Sequence, residues 1–410
     1  MKDDTVKKVE IVLVGIGGYG GAYAGSVLDA HARGYVRLVG AVDPAPERCG
    51  RLDELEELGI GIYDDITAFY AERTADLAVI STPIHMHAPC TCVALAHGSS
   101  VLCEKPLTAT IQDALRMAEA EAASPGFAAI GYQWSFSAAI QALKRDIMAG
   151  DFGRAIRLRT LVAWPRTKWY FGRNDWAAAI KSPDGAWVLD SPANNATAHF
   201  LHNMFYVLGP TRETSDRPVD VQAELYRANE IANYDTAAIR CHTKSGAEVL
   251  FYTTHAVTKR IGPCFHYEFE QATVSYGWSD EPVIVAELRD GSRREYGDPS
   301  AANRDKLWQS IEAVKGGEPV ACGIEAAMAQ TLCINGAQDS VAEIASFPAD
   351  LVRVDEEENG DLQTWVDGLF ASFESCFERG ILPAEHPDIS WARPGRIVDL
   401  TGYTSFPSQG

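Results

Sequence analysis

The stretch Val9-Glu10-Ile11-Val12-Leu13-Val14-Gly15-Ile16-Gly17-Gly18-Tyr19-Gly20 decides how this chain is read. A short run of Val, Ile and Leu is followed at once by glycines at the three positions of G-x-G-x-x-G, and a helical pattern then continues to about Arg33. Strand, glycine turn and helix in this order form the context in which the motif cradles a dinucleotide. Gly15 permits the tight turn, Gly17 lets the backbone approach a pyrophosphate, and Gly20 allows the helix to pack close to the strand. The helix start offers free N–H groups and a positive dipole end to phosphates. Gly15, Gly17, Gly18, Tyr19 and Gly20 are therefore the first candidate cofactor-binding residues.

Outward from this loop the same alternation repeats. Strands are expected at Val36–Val42, Asp76–Thr82, Ser100–Cys103 and Ala128–Trp134, with helices over Glu47–Leu58, Ala88–His97 and Thr108–Ala123. Such alternation argues for parallel βαβ units in a doubly wound Rossmann sheet over residues 1–134. From Val219 to Tyr296 the chain turns to extended, alternating segments divided at Lys244-Ser245-Gly246 and Asp290-Gly291, the pattern of antiparallel hairpins. Helices return at Asn303–Lys315 and Glu325–Ile344. Residues 135–346 are thus expected to form an α+β domain with a large, mostly antiparallel sheet for substrate binding and oligomerisation. Residues 347–410 read as a C-terminal extension packed on that domain, with a solvated acidic run at Asp355–Glu358 and an amphipathic helix over Asp361–Arg379.

Composition narrows the partners. In 410 residues there are 36 Lys and Arg against 56 Asp and Glu, a net charge of −20, so phosphate backbones and anionic lipid would repel the chain. No run approaches the roughly 18–20 apolar residues of a membrane span, and Met1–Lys8 lacks the apolar core of a signal peptide. The nine cysteines are odd in number and scattered, which fits reduced thiols in the cytoplasm.

Two further motifs carry chemistry. Asp43 ends the second strand, 23 residues after Gly20, where a carboxylate accepts hydrogen bonds from an adenosine ribose and repels a 2′-phosphate. NAD is therefore expected over NADP. Then come Ser81-Thr82-Pro83-Ile84-His85-Met86-His87 and Glu104-Lys105-Pro106-Leu107. With these the chain resembles the glucose–fructose oxidoreductase, inositol dehydrogenase and rhizopine-catabolism (Gfo/Idh/MocA) family across about 130 residues. The matching positions are the three glycines, Asp43, Thr82-Pro83, His87 and Glu104-Lys105-Pro106. The resemblance implies that Thr82, Pro83, His87, Glu104 and Lys105 border the cofactor, and that Lys105 meets both the nicotinamide and a substrate hydroxyl. Lys105 follows a buried strand at the carboxyl end of an open α/β sheet, where such folds bind ligands. Partial desolvation there lowers a lysine pKa toward the range of proton transfer.

In the second domain the resemblance implies an Asp and a His four residues apart on a helix facing the nicotinamide. Counting back from Leu208-Gly209 puts His199 at the His position and Asn195 at the Asp position, a departure that leaves Asp190 as an alternative source of negative charge. His199 is read as an acid or base beside Lys105. Trp164, Trp169, Tyr170, Phe171, Trp176 and Trp187, with Tyr132 and Trp134 before them, are interleaved with Arg166, Lys168, Arg173 and Asp175. Aromatic faces pack on the C–H face of a sugar while charged groups hold its hydroxyls. The same rings could equally fill core. The candidate substrate-binding set is Lys105, Trp134, Arg166, Trp169, Asp190, Asn195 and His199. The pairs His85/His87 and His199/His202 lack a third ligand, so no metal is expected.

These readings favour an NAD-dependent oxidoreductase acting on a hydroxyl-bearing carbon of a sugar or polyol. A hydrolase or lyase that recycles its NAD by transient oxidation is the alternative, and a non-catalytic NAD-binding regulator is a third. Helices at 303–344 cover only part of the second sheet, and an uncovered apolar face usually finds a partner; the resemblance implies a homodimer or homotetramer through that sheet.

Overall fold

The computed structural model describes residues 8–279, 281–301 and 303–408. The leading residues read above for a signal peptide fall outside them, apart from Lys8.

Six short strands form the first sheet: β1 (Val9–Val14), β2 (Val36–Val42), β3 (Ile62–Tyr63), β4 (Leu77–Ile80), β5 (Ser100–Cys103) and β6 (Ala128–Ile130). All pair in parallel, in the order β3-β2-β1-β4-β5-β6. The helices between them are α1 (Gly20–Ala32), α2 (Leu52–Glu57), α3 (Ile66–Glu72), α4 (His87–Ala96) and α5 (Ile111–Ala122). β1, β4 and β5 are buried almost throughout because helices cover both faces of the sheet. The strand order reverses between β1 and β4. The loops leaving β1, β4 and β5 therefore open together at one edge of the sheet, where such folds place a ligand crevice.

The second domain begins with α6 (Ala138–Met148) and β7 (Ala155–Ala163), a strand not anticipated above. After a one-turn helix, α7 (Lys168–Phe171), and α8 (Ala198–Val207) come β8 (Pro218–Arg227), β9 (Thr236–Thr243), β10 (Glu248–Thr254), β11 (Ile261–Phe269), β12 (Ala272–Tyr276), β13 (Ile284–Leu288) and β14 (Arg293–Gly297). Next are α9 (Asp305–Val314), α10 (Ile324–Ser340) and β15 (Ala345–Ser346). The strand order is β14-β13-β12-β11-β7-β10-β9-β8-β15, mostly antiparallel, with β7–β10 and β8–β15 parallel. β7 is central, and its Arg157 and Arg159 face Glu248 and Glu268, so its charges are neutralised within the sheet. On one face α10 lies close on β8: a Cβ at Gly336 would come 2.5 Å from Val221 Cγ1. One apolar core continues through this face into the first domain.

The other face is covered by the chain itself. Residues 352–366, expected to hold the acidic run and the start of a helix, instead form a hairpin of β16 (Val352–Glu356) and β17 (Leu362–Val366). The helix, α11 (Leu369–Arg379), begins only after it. Phe373, Cys376 and Phe377 bury against Leu161, Leu250 and Tyr252 of the sheet. Arg159 donates to the last carbonyls of α11, Phe377 O at 2.6 Å and Glu378 O at 2.7 Å. The tail then pairs β18 (Val398–Asp399) with β8 and reaches α5, where Gln112 Nε2 donates to Phe406 O at 2.8 Å. The uncovered apolar face invoked above for an oligomer is thus occupied over much of its area by residues 347–392.

Among the described residues, no helix is long and apolar enough to cross a membrane, and no cluster of His, Cys, Asp or Glu is arranged to hold a metal ion. All nine cysteines are free.

Candidate active site

The glycine loop has the backbone its motif demands. Gly15 sits at φ +83°, and a Cβ on it would lie 2.4 Å from Ser81 O. A Cβ on Gly20 would lie 2.1 Å from Gly15 O, so only glycine lets α1 start this close to β1. The N–H groups of Gly18 and Tyr19 have no acceptor among the described residues, while Gly20, Gly21 and Ala22 close the first turn. Open space surrounds Gly18. Asp43 Oδ2 accepts from Ile16 N at 2.9 Å and Gly17 N at 3.2 Å, which fixes its carboxylate against the loop at the end of β2. Thr82 Oγ1, at the end of β4, is buried without a partner. Free loop donors, a tethered carboxylate and an unspent hydroxyl fit a dinucleotide lying across the carboxyl ends of β1, β2 and β4.

Two residues expected to touch the cofactor have their polar atoms engaged within the protein. His87 is 1% exposed, with Nδ1 2.7 Å from Pro106 O and Nε2 3.1 Å from Thr82 O, so it ties the loop after β4 to the loop after β5. Glu104 is also buried. Its carboxylate accepts from Tyr23 Oη at 2.5 Å, from Lys306 Nζ and from Lys105 N at 3.2 Å. Burial pushes its pKa up, but the charge and hydrogen bond of Lys306, the Tyr23 hydroxyl and the charge of Lys105 together outweigh this and hold it below the usual carboxylate range. Lys306 on α9, 2% exposed, and Tyr23 on α1 carry no motif, so sequence reasoning missed both.

Above this pair lies Lys105. Its Nζ donates to Asn195 Oδ1 at 2.6 Å and to Asn195 O at 2.9 Å. Asn195 lies in a π turn, Pro192–Ala196, just before α8, where its carbonyl accepts from the Thr197 N–H as well as from the lysine. Asn195 Nδ2 donates to Asp190 Oδ1 at 2.7 Å, so the amide presents its oxygen to Lys105. Burial is the main reason that the Lys105 pKa falls to about 8, with Lys306 and Arg173 adding to it and Glu104 opposing. The acid position of the family pattern thus holds a neutral amide, and the carboxylate stands one side chain further back.

Asp190 Oδ2 accepts from Ala178 N at 2.6 Å and lies 3.5 Å from Arg173 Nη2. Burial raises its pKa against the pull of Arg173. Ala178 at φ +52° and Leu189 at φ +51° are the two non-glycine residues with positive φ among the described residues. Both border Asp190, so backbone strain of about 1–3 kcal/mol each is held where that carboxylate is positioned. His199 follows on α8, its ring edge-on to Tyr132 at 5.9 Å and its buried Nδ1 unpartnered. Burial, then the charges of Lys105 and Lys306, push its pKa well below the usual value, so it is neutral near pH 7.

Of the aromatic candidates, Trp134 belongs to the core: it is 2% exposed, packs on Phe200 and Tyr276, and its indole N–H donates to Ser300 Oγ at 3.1 Å. Trp169 points away, 70% exposed. Arg166 does join the site, its guanidinium 4.7 Å from the Tyr170 ring, whose other neighbour is Arg173 at 3.8 Å.

Residues 9–132 match the profile described as "Oxidoreductase family, NAD-binding Rossmann fold". This stretch matches the NAD-binding domain of the Gfo/Idh/MocA family. The chain is 33% identical over 152 residues to inositol 2-dehydrogenase 4 of Saccharopolyspora erythraea, covering 37% of this chain and 44% of that protein. It is 25% identical over 151 residues to 2,7-anhydro-N-acetylneuraminate hydratase of Mediterraneibacter gnavus, covering 37% and 38%. The chain therefore spans less than half the length of these curated relatives. The fold likeness extends further: the WlbA dehydrogenase of Bordetella pertussis, solved with NADH and UDP-GlcNAcA, superposes with a TM-score of 0.65 at 20% identity, covering 82% of this chain and 98% of that one.

Proposed function

We propose that this chain is an NAD-dependent oxidoreductase that moves a hydride between the nicotinamide and a carbinol carbon of a sugar or polyol. The observation that carries the reading is Lys105 Nζ: half-buried, held among the described residues by the two oxygens of Asn195, and lowered to about 8 beside the dinucleotide crevice. A bound nicotinamide supplies the hydride acceptor. The free N–H groups of Gly18 and Tyr19 would hold the pyrophosphate, Asp43 the adenosine ribose, and Thr82 Oγ1 the nicotinamide half. As the carbinol C–H gives up its hydride, the neutral amine of Lys105 takes the hydroxyl proton. The resulting ammonium is stabilised by Asn195 O and Oδ1. His199, neutral near pH 7, orients the same hydroxyl by a hydrogen bond and leaves the proton to Lys105.

Lys105→Ala is expected to lower turnover about 10²- to 10⁴-fold, the usual contribution of a positioned acid or base, while NADH fluorescence still reports binding. Near-normal turnover would remove Lys105 from this role. Asp43→Ala is expected to weaken NAD and narrow its advantage over NADP, because the carboxylate that repels a 2′-phosphate is gone.

A second reading takes support from the hydratase relative and from Asn195: oxidation, elimination and re-reduction with the cofactor retained. NADH that accumulates with turnover favours the dehydrogenase, and NADH that never accumulates while product forms favours recycling.

A further inference from the structure

The geometry points to an anionic group, a carboxylate or a phosphate, on the hydroxyl-bearing substrate, received by Arg166 and Arg260 at the rim of the site. This rests on the dehydrogenase reading for the hydroxyl and goes beyond it for the rest of the molecule.

The topology explains why these side chains meet. β7 and β10 run parallel as neighbours and β11 runs antiparallel beside β7, so the end of β7, the end of β10 and the start of β11 lie at one edge. Trp164 and Arg166 follow β7, His255 follows β10, and Arg260 precedes β11. The pairing runs on past the strands: Trp164 N donates to Thr254 O at 2.9 Å and Arg166 N to His255 O at 3.3 Å. Trp164 Nε1 donates to Gly262 O at 2.9 Å, which locks the indole across the three strand ends.

Two guanidiniums share that indole, Arg260 at 4.0 Å and Arg166 at 5.9 Å from the ring centre. Arg166 also lies over Tyr170, with Arg173 over the same ring. Of the three arginines only Arg173 reaches a carboxylate, Asp190. Among the described residues neither Arg166 nor Arg260 has an acidic partner, and Arg166 Nε is buried with none at all. The buried, unspent Nε of Arg166 and the solvent-facing guanidinium of Arg260 beside it offer an arriving anion two charged donor groups at one place. His255 adds a second unspent atom. Its Nδ1 lies 2.8 Å from Trp164 O, so the neutral ring donates there and leaves the buried, unpartnered Nε2 as an acceptor for a hydroxyl. Arginine forks beside a hydroxyl acceptor match an acidic sugar better than a neutral polyol.

The test measures NADH binding by fluorescence and then titrates the loaded protein with D-gluconate, D-glucose 6-phosphate and D-glucitol. The expected result is tighter binding of gluconate or of the phosphate than of glucitol by about 10- to 100-fold, the worth of hydrogen bonds to a charged group. Which of the two wins identifies carboxylate or phosphate. Arg166→Gln and the surface variant Arg260→Gln should each erase most of that preference and leave NADH binding unchanged, with Arg166→Lys recovering only part of it. Equal binding of glucitol and the anions, binding of no anion, or an anion preference that survives both variants would overturn the inference. If the chain binds no NADH, the dehydrogenase reading fails instead, and the anion preference is then read on the cofactor-free protein.

Discussion

At residue 195 one atom type sets the chemistry of its neighbour. A carboxylate 2.6 Å from Lys105 Nζ would favour the ammonium and lift its pKa, whereas the amide of Asn195 accepts the same hydrogen bond with no net charge. Burial then decides the balance, and Lys105 titrates near 8. In the proposed reaction oxidation needs the neutral amine, so its rate should rise with pH through this value and level off above it, and reduction should show the opposite limb. Asn195→Asp is expected to shift the midpoint upward by about 1–3 pH units, the usual effect of an adjacent opposite charge. The kcat/KM profile of the two proteins checks this. An unmoved midpoint would mean that another group controls the rate. The identity of residue 195 was legible from its spacing to Leu208-Gly209. Its consequence was not, because the direction of the amide depends on Asp190, which the π turn brings beside it.

At the scale of elements, α9 reaches from the second domain to the end of β5. Lys306 pairs with Glu104 beneath Lys105, and the pair is almost wholly buried. Lys306→Met would strand a buried carboxylate, at a cost of about 3–5 kcal/mol. The unopposed Glu104 would also raise the Lys105 midpoint. Glu104→Gln combined with Lys306→Met removes both charges and should recover most of the stability. Since Glu104 acts more strongly on Lys105 than Lys306 does, the double variant should move the midpoint slightly down, not up. Thermal melts and pH profiles of both proteins separate this from a purely structural role, which would change Tm alone. Nothing in the sequence marked this ion pair. Glu104 lay in a motif that suggested cofactor contact, and its partner lies 202 residues away. The βαβ units were legible because their strands are continuous apolar runs buried on both faces. β7 escaped notice because it carries Arg157 and Arg159, whose partners Glu248 and Glu268 come from strands far along the chain.

For the whole molecule, the question is what closes the second sheet. Composition and element order suggested an uncovered face and hence an oligomer; residues 347–410 were expected to pack on this domain, but not to be what covers that face. Their hydrophobic residues are spread over a hairpin, one helix and irregular turns, so no single period announces a partner. Once folded, Leu369, Phe373 and Phe377 bury in one cluster with Leu161, Tyr226, Leu250 and Tyr252 of the sheet. A chain ending at Ser346 would expose Leu161, Tyr226, Leu250 and Tyr252 together, a contiguous patch of the kind that drives association. It would also lose the strap from β18 to α5. The truncated protein should therefore form larger species or precipitate at concentrations where the full chain keeps one defined mass by light scattering. Phe373→Asp in the full chain should act in the same direction more weakly, because it buries an unpaired charge and loosens α11 while leaving the rest of the cover in place. If truncation left mass and Tm unchanged, the cover would be dispensable and the face free for another copy of the chain. If the full chain is itself a dimer that survives Phe373→Asp, its contact must lie outside the α11 cover.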